Sequence, residues 1–160
     1  MTLFKEKIII AFCLITLFQA CSDKNSNVDS FYTEKGGWDY GRIPLLKPYE
    51  AIIDNKNLGW SLGLNGEDGD TGFGNIKLVN VVDSVILIYS TNSILHGVDV
   101  KQSWHIIIPS NKVEKGFDSH QKYLDYLKLL GITHEPPLHD IEAISEYFDK
   151  YDIIDWNKIE

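Results

Sequence analysis

The sequence predicts an α+β domain in which a small antiparallel sheet of about four or five strands is followed by two C-terminal helices. Segments rich in β-branched residues, separated by turn signals, fill the middle of the chain. Apolar residues take up helical spacing only from Asp118 onward. A run of strands followed by helices is typical of α+β domains.

Five segments of the chain are predicted to form the sheet. Prolines within residues 42–54 indicate an edge strand or an extended wrap, and residues 59–64 alternate weakly between apolar and polar side chains. A tight polar break separates residues 76–82 from residues 85–89, which favours a hairpin. Residues 104–108 form a further strand, which a proline ends.

The C-terminal third is predicted to form two helices. Asp118 or Ser119 caps a first helix that runs to Leu130 and stops at Gly131. Asp140 caps a second helix after a diproline interruption. Apolar residues at every third or fourth position give each helix one buried face, which in the second helix consists of Ile141, Ile144, Phe148 and Tyr151.

Composition excludes two broad classes of protein. The 160 residues carry a formal net charge of −8, from 15 basic and 23 acidic residues. That balance argues against nucleic-acid binding, because phosphate contacts need clustered lysine and arginine. The chain has only two cysteines, Cys13 and Cys21, which excludes a fold held together by disulfides.

The N-terminus has the pattern of an export signal. Lys5 and Lys7 precede an apolar stretch that is too short to span a bilayer but typical of a secretory signal. The stretch closes on Leu17-Phe18-Gln19-Ala20-Cys21, which resembles a bacterial lipobox. The resemblance covers residues 1–21 only. It implies removal of residues 1–20, acylation of the new terminus and attachment of diacylglycerol to Cys21.

This resemblance implies three segments: a signal peptide over residues 1–20, a lipidated flexible tether over 21–37, and one α+β domain over 38–160. Two or three acyl chains hold a protein durably at a membrane. Ser22 directly follows the cysteine. By resemblance to lipoprotein sorting in Gram-negative bacteria, that residue favours the outer membrane over the inner membrane. An uncleaved signal anchor is the alternative.

An acidic, glycine-rich loop over residues 65–74 suggests a cation site. Asp68 and Asp70 are spaced like the first ligands of a calcium loop, but Gly72 stands where the third ligand belongs. The sequence favours a solvated connection between strands, with weak calcium binding as the alternative. The glycines over residues 69–74 form no dinucleotide motif, because no helix follows them.

Three histidines are considered as ligands. His134, His139 and Asp140 can meet around zinc in a loop, although two prolines between the histidines exclude a helical metalloprotease motif. Histidines on a surface turn are the simpler interpretation. His105 alternates with apolar strand neighbours and is expected at an exposed or edge position.

No catalytic constellation emerges from the sequence. No serine lies in a G-x-S-x-G turn, so a hydrolase elbow is not predicted. Asp152 and Asp155 are paired carboxylates near the terminus, but glycosidase roles require a cleft of fixed separation that sequence does not define. We therefore expect neither an enzyme nor a cofactor.

Charge and aromatic residues indicate a candidate partner-binding set. Residues 118–160 contain ten acidic residues and four lysines. Glu142, Glu146 and Asp149 fall on the polar side of the second helix, and Trp156 belongs to a late aromatic cluster. A solvated face is the simpler interpretation. The functional interpretation is a surface that steers a basic protein into contact, with aromatic residues as anchors.

These observations lead to an expected function. We expect a non-catalytic envelope lipoprotein that binds a basic protein partner, in particular an immunity protein that neutralises a toxin. A structural accessory of an outer-membrane or surface complex is one alternative, and a weak calcium-binding module is another.

Overall fold

The computed structural model describes residues 28–54 and 59–159. Cys21, the predicted signal peptide and the first part of the predicted tether lie outside these residues. In the described part, strands that are neighbours in the sequence are also neighbours in the sheet, an antiparallel meander in the order β1 to β7. The strands are β1 Tyr40–Leu46, β2 Tyr49–Asp54, β3 Trp60–Gly63, β4 Gly72–Val82, β5 Val85–Leu95, β6 Val98–Ile108, β7 Val113–Phe117 and the two-residue β8 His139–Asp140, which pairs with β4.

The sheet therefore has more strands than the four or five predicted. The predicted single strand over residues 42–54 is two strands, because the chain turns at Lys47 and Pro48 and pairs with itself. β7 was not predicted, since its short sequence Val-Glu-Lys-Gly-Phe has no apolar run. It follows a short 3-10 turn and Lys112, whose left-handed φ of 53° reverses the chain.

Two long hairpins form the middle of the sheet. β4 and β5 join at Asp83 and Ser84, both with positive φ, as a two-residue turn between twisted strands requires. β5 and β6 join at His96 and Gly97, which also have positive φ. The β4–β5 hairpin agrees with the predicted pairing, and both strands extend beyond the predicted segments.

The two predicted helices are confirmed, as α1 His120–Leu129 and α2 Ile141–Tyr151. Asp140 caps α2 through hydrogen bonds from the backbone N–H groups of Glu142 and Ala143 to its side chain, at 2.9 and 3.3 Å. One predicted core position is wrong. Tyr151, the last residue of α2, is 52% exposed, because its ring packs against Tyr147 of the same helix, at 4.6 Å between centroids, and not into the core.

Both faces of the sheet are covered, so the core has two parts. One cluster contains Ile141 and Ile144 of α2, Ile159 from the chain after α2, and side chains from β1 to β6, including Trp60, Ile86 and Ile107. On the opposite face, α1 contributes Tyr123 and Leu127 to a second cluster with Val85, Leu87, Ile106 and Ile108. Alternate residues of β5 and β6 thus enter opposite clusters, as side chains on a strand must.

Because both faces are covered, His105 is not at an exposed or edge position. It is 3% exposed, and its ring stacks on Phe73 at 3.6 Å between centroids. Burial, and then the charge of His96, lower the pKa of His105 to about 3. Its Nε2 lies 2.9 Å from the Ser103 hydroxyl, which also contacts the buried hydroxyls of Ser90 and Ser93.

Part of the segment predicted as a tether lies against the domain. Residues 28–37 include a 3-10 turn, Ser30–Tyr32, whose Phe31 ring receives the guanidinium of Arg42 at 4.7 Å. Arg42 also donates to the backbone carbonyl of Glu34 and to the Glu50 carboxylate. The contacts of the domain therefore begin before Trp38, the predicted start.

Candidate functional site

Helix α2 presents three carboxylates on one exposed line, which we call the acidic stripe: Glu142, Glu146 and Asp149. Spacings of four and three residues bring these side chains to one side of a helix. All three residues are exposed, while Ile141, Ile144 and Phe148 on the opposite side are buried. The three acidic residues lie on the polar side of α2, as the sequence predicts, because α2 is amphipathic and docked by its apolar side. Their role in partner binding stays a prediction.

The ends of the acidic stripe are anchored to other elements. The Trp60 indole donates to Glu142 Oε1 at 2.8 Å, and Glu142 also lies in the first turn, where a helix favours negative charge. At the other end, Lys35 donates to the backbone carbonyl of Asp149 and to Asp152, each at 2.7 Å. These contacts fix the helix without using the carboxylates of Glu146 and Asp149.

Two carboxylates of the acidic stripe, those of Glu146 and Asp149, have no compensating basic group among the described residues. Within residues 28–54 and 59–159, no ion pair involves the carboxylate of Glu146 or Asp149. Elsewhere a nearby lysine, arginine or histidine pairs with the carboxylates of Asp29, Glu50, Asp68, Asp70, Asp118, Asp125, Glu135, Asp152 and Asp155. Negative charge on α2 is therefore available to an external cation.

Trp156, the fourth predicted partner-binding residue, lies in a groove formed by the chain that follows α2. This C-terminal groove has a volume of about 920 Å³ and is lined by residues 80–83, Pro136, Pro137, His139, residues 153–157 and Ile159. Trp156 is half-buried and also packs against the first core cluster. It is thus a groove residue and a core residue, and the sequence alone could not separate the two roles.

In the acidic loop over residues 65–74, the carboxylates of Asp68 and Asp70 contact basic residues of the chain. Asp70 accepts the backbone N–H of His96 at 3.0 Å, and its Oδ2 lies 3.4 Å from His96 Nδ1. Asp68 lies 3.7 Å from Lys115 Nζ. The carboxylates considered as calcium ligands therefore tie the loop to the β5–β6 turn and to β7.

Glu114 organises the base of the same loop, and sequence reasoning did not single it out. Although 3% exposed, it accepts the Tyr49 hydroxyl at 2.7 Å and the backbone N–H groups of Asn65 and Glu67 at 2.6 and 2.8 Å. Burial acts to raise the pKa of Glu114, but these hydrogen bonds outweigh burial and hold the pKa below its ordinary value. Burial, and then Glu114, raise the pKa of Tyr49 to about 12.

The residues considered for zinc do not converge. His139 pairs with β4 through its backbone, the Asp140 side chain caps α2, and His134 Nδ1 contacts the Thr133 hydroxyl at 3.1 Å. No group of three or more potential ligands that could hold a metal ion occurs in the described part of the chain. Asp152 and Asp155 pair separately, with Lys35 and Lys158.

A second concave surface, also missed from the sequence, lies on the face of the sheet that carries α1. This aromatic cleft has a volume of about 440 Å³ and is lined by Leu78, Tyr89, Trp104, His120, Glu135, Pro136, Pro137 and Leu138. Its residues come from three strands, a helix and a loop that are far apart in the chain. Tyr89 and Trp104 are opposite each other in the β5–β6 pairing. The sequence could have indicated the cleft only if this register had been known.

The chain matches no known family model, and neither a curated protein nor a solved structure is significantly similar to it. None of the helices in the described residues has the length and apolar character needed to cross a membrane. The functional argument therefore depends on the surface chemistry of this chain.

Proposed function

We propose that this protein is a non-catalytic lipoprotein of the cell envelope whose acidic stripe binds a basic protein. The observation that carries the proposal is the uncompensated charge of Glu146 and Asp149 on a docked, exposed helix. Nine other carboxylates of the described residues already pair with a basic side chain. A surface that keeps its charge free attracts a complementary surface and speeds its association.

The proposed partner has a basic patch that spans about two turns of α2. Glu142, Glu146 and Asp149 present their charges along the helix, at a rise of about 1.5 Å per residue. Because the apolar side of α2 is buried in the core, the charges are held on a rigid element. A preorganised surface of this kind loses little conformational entropy on binding.

Within this proposal, we favour an immunity protein that captures a toxin domain at the envelope. The lipobox-like ending at Cys21 supports a lipid anchor, and the favoured address is the outer membrane. An anchored, acidic inhibitor meets a basic toxin domain at the surface where the toxin arrives. The chain's residues from Asp29 onward then form the binding domain itself.

The stripe is tested by capture of partners from envelope extract with the full chain in detergent. A double variant, Glu146→Gln with Asp149→Asn, removes the free charges and leaves Glu142 and its contact with Trp60 intact. We expect wild-type protein to retain a basic partner at low salt, and the variant to retain at least several-fold less. Raised salt is expected to release the partner, because exposed charges are screened.

A matched control removes the same amount of charge from α1 and the residues just before it. Asp118→Asn with Asp125→Asn also removes two exposed carboxylates, but these already pair with Lys122 and Lys128. We expect this control to retain the partner as wild type does. Equal loss in both variants would mean that net charge, rather than the acidic stripe, holds the partner.

The anchor has a separate test. Intact mass of the protein extracted from membranes is expected to show a chain that begins at Cys21 and carries added lipid mass. A chain that still begins at Met1, or one without lipid, would contradict the envelope address.

A further inference from the structure

The aromatic cleft is built around three neighbouring rings that are tilted against each other. Tyr89 and Trp104 lie 5.3 Å apart between centroids, and Trp104 and His120 lie 5.1 Å apart. Tyr89 and Trp104 are half-buried, and His120 is exposed. The cleft therefore presents ring surface to the outside, which is a good receptor for a cation or for a flat polar group.

One carboxylate stands at the wall of this cleft. Glu135 Oε1 lies 2.8 Å from His120 Nε2, which orients the carboxylate. Its other oxygen, Oε2, makes no hydrogen bond within residues 28–54 and 59–159. The lining contains no lysine or arginine, and the hydrogen-bond partner of the Glu135 carboxylate within the lining is His120.

A buried hydroxyl next to this carboxylate lacks a partner. Among the described residues, the Tyr123 hydroxyl is the one buried side-chain polar atom without a hydrogen bond. Its ring stacks near His120, at 5.9 Å between centroids. Burial, and then the charge of Glu135, raise the pKa of Tyr123, so the hydroxyl lies within electrostatic reach of that carboxylate. Tyr123 is fully buried and is not among the residues that line the cleft, so its hydroxyl takes no part in the contact proposed below.

We propose that the aromatic cleft binds an arginine side chain, with the guanidinium against Trp104 and its N–H groups directed at Glu135. The inference rests on the proposed function for the source of that arginine, a basic protein. The cleft and the C-terminal groove share Pro136 and Pro137, so the two concave surfaces adjoin at the diproline.

Guanidinium fits the cleft better than the other common cation of proteins. It is planar, stacks on aromatic faces and offers several N–H donors in a fixed fork, whereas an ammonium is a compact and strongly hydrated point charge. Stacking uses the ring of Trp104, and the fork can address Glu135 Oε2. Tryptophan is also the aromatic residue that attracts cations most strongly.

The test uses a small probe, so that it needs no partner. The four tryptophans of the full chain, in detergent and labelled with ¹⁵N, give four indole signals, and Trp104→Phe identifies the one from the cleft. N-acetylarginine amide is titrated, with N-acetylcitrulline amide as the uncharged probe of the same shape. We expect arginine amide to shift the Trp104 signal saturably, with a smaller effect at the other three tryptophans, and citrulline amide to bind at least several-fold more weakly.

Two variants show whether the carboxylate is responsible. Glu135→Gln keeps the shape and an acceptor for His120 but removes the charge, and we expect it to weaken arginine amide by about fivefold. Asp99→Asn removes an exposed carboxylate from β6, the strand that carries Trp104, and is expected to bind as wild type does. Equal binding of citrulline amide, no saturable shift, or equal loss in the two variants would overturn the inference.

The same variant separates this inference from the proposed function. If a captured partner needs the acidic stripe but ignores Glu135→Gln, and arginine amide does not bind, the cleft inference is wrong and the proposed function stands. If arginine amide binds through Glu135 but the stripe captures nothing, the proposed function is wrong and the cleft remains an arginine site.

Discussion

Two acidic regions of this molecule use their carboxylates in opposite ways. Around the loop over residues 65–70, Glu114 is buried and accepts three hydrogen bonds, while Asp68 and Asp70 face Lys115 and His96. On α2, Glu146 and Asp149 are exposed and have no ion-pair partner among the described residues. The carboxylates around the loop are therefore engaged within the protein, whereas those of Glu146 and Asp149 are free to contact another molecule.

The comparison shows why net charge alone does not locate a binding surface. A formal charge of −8 predicts attraction to basic molecules in general. Compensation within the fold decides which carboxylates can provide that attraction. If this account is right, changes at the loop alter stability, and changes at the acidic stripe alter binding.

The largest effect on stability is expected at Glu114. Glu114→Gln keeps the volume but replaces one acceptor oxygen with a donor, which then opposes a backbone N–H of Asn65 or Glu67. We expect the free energy of unfolding to fall by about 3 kcal/mol, measured by chemical denaturation. Glu67→Gln is the exposed control, with an expected change of less than about 0.5 kcal/mol. A loss of under about 1 kcal/mol at Glu114 would remove the contrast between the two regions.

The second largest effect is a loss of stability at low pH that is caused by the buried His105. The pKa of His105 is about 3 in the fold, against an ordinary value of 6.5, so acid protonates the unfolded chain first. Its contribution to stability is present above pH 6.5 and is lost progressively as the pH falls below that value. Between pH 6.5 and 4.5, we expect the free energy of unfolding to drop by about 2 kcal/mol through this residue.

The measurement is the slope of stability against pH in wild type and in His105→Gln, which keeps a hydrogen-bonding group near Ser103. The variant is expected to be flatter over this range. Below pH 4.5, protonation of Glu114 adds a further loss, because its pKa in the fold is lowered. Equal slopes in the two proteins between pH 6.5 and 4.5 would contradict the buried, neutral state of His105.

A smaller effect is expected at Asp70, which accepts the backbone N–H of His96. Asp70→Ala removes this tie between the loop and the β5–β6 turn, and we expect a loss of about 1 kcal/mol in unfolding free energy. Asp68→Ala serves as the control, because its contacts with His96 and Lys115 are 3.9 and 3.7 Å long and its charge is partly exposed. We expect less than about 0.5 kcal/mol there, as for other exposed ion pairs. Losses of equal size would mean that the loop is held by charge and not by the hydrogen bond.

The smallest effect on stability is expected at the acidic stripe. Glu146→Gln with Asp149→Asn removes charges that have no partner in the described residues. We expect the free energy of unfolding to change by less than about 0.5 kcal/mol, and relief of repulsion can make the change favourable. A loss above about 1 kcal/mol would show that these carboxylates support the fold after all.

Much of the fold could be predicted from the sequence wherever local chemistry decides it. Asp140 caps α2 as predicted, and Gly131 ends α1 with a φ of 83°, which glycine adopts without strain. The hairpin at Val82 and Val85 follows from the polar break between two β-branched runs. In these places the signal lies within a few residues of the structure that it predicts.

The unpredicted parts depend on pairing across the sheet. In the second half of β5 the inward positions are serines, Ser90 and Ser93, so the apolar alternation that marks a strand is missing. These serines are buried because their hydroxyls contact Ser103 on β6. The burial of His105 could not be predicted because it depends on Phe73, a residue of β4 that is distant in the sequence and covers the imidazole ring.

The candidate site was predictable in part. The acidic stripe is visible in the sequence, because its spacing follows the helix period. The absence of ion-pair partners for Glu146 and Asp149 is not visible in the sequence, because it depends on where the fold places Lys35 and the other basic side chains. The aromatic cleft joins Tyr89, Trp104 and Glu135 from separate elements, and no spacing along the chain announces it.

The most direct test of the central claim is the salt dependence of affinity for the captured partner. We expect the affinity of wild-type protein and of the Asp118→Asn, Asp125→Asn control to fall steeply and equally as salt rises. The variant Glu146→Gln with Asp149→Asn is expected to bind about tenfold more weakly at low salt and to show a clearly shallower dependence. The same affinity and the same slope in all three proteins would contradict the account.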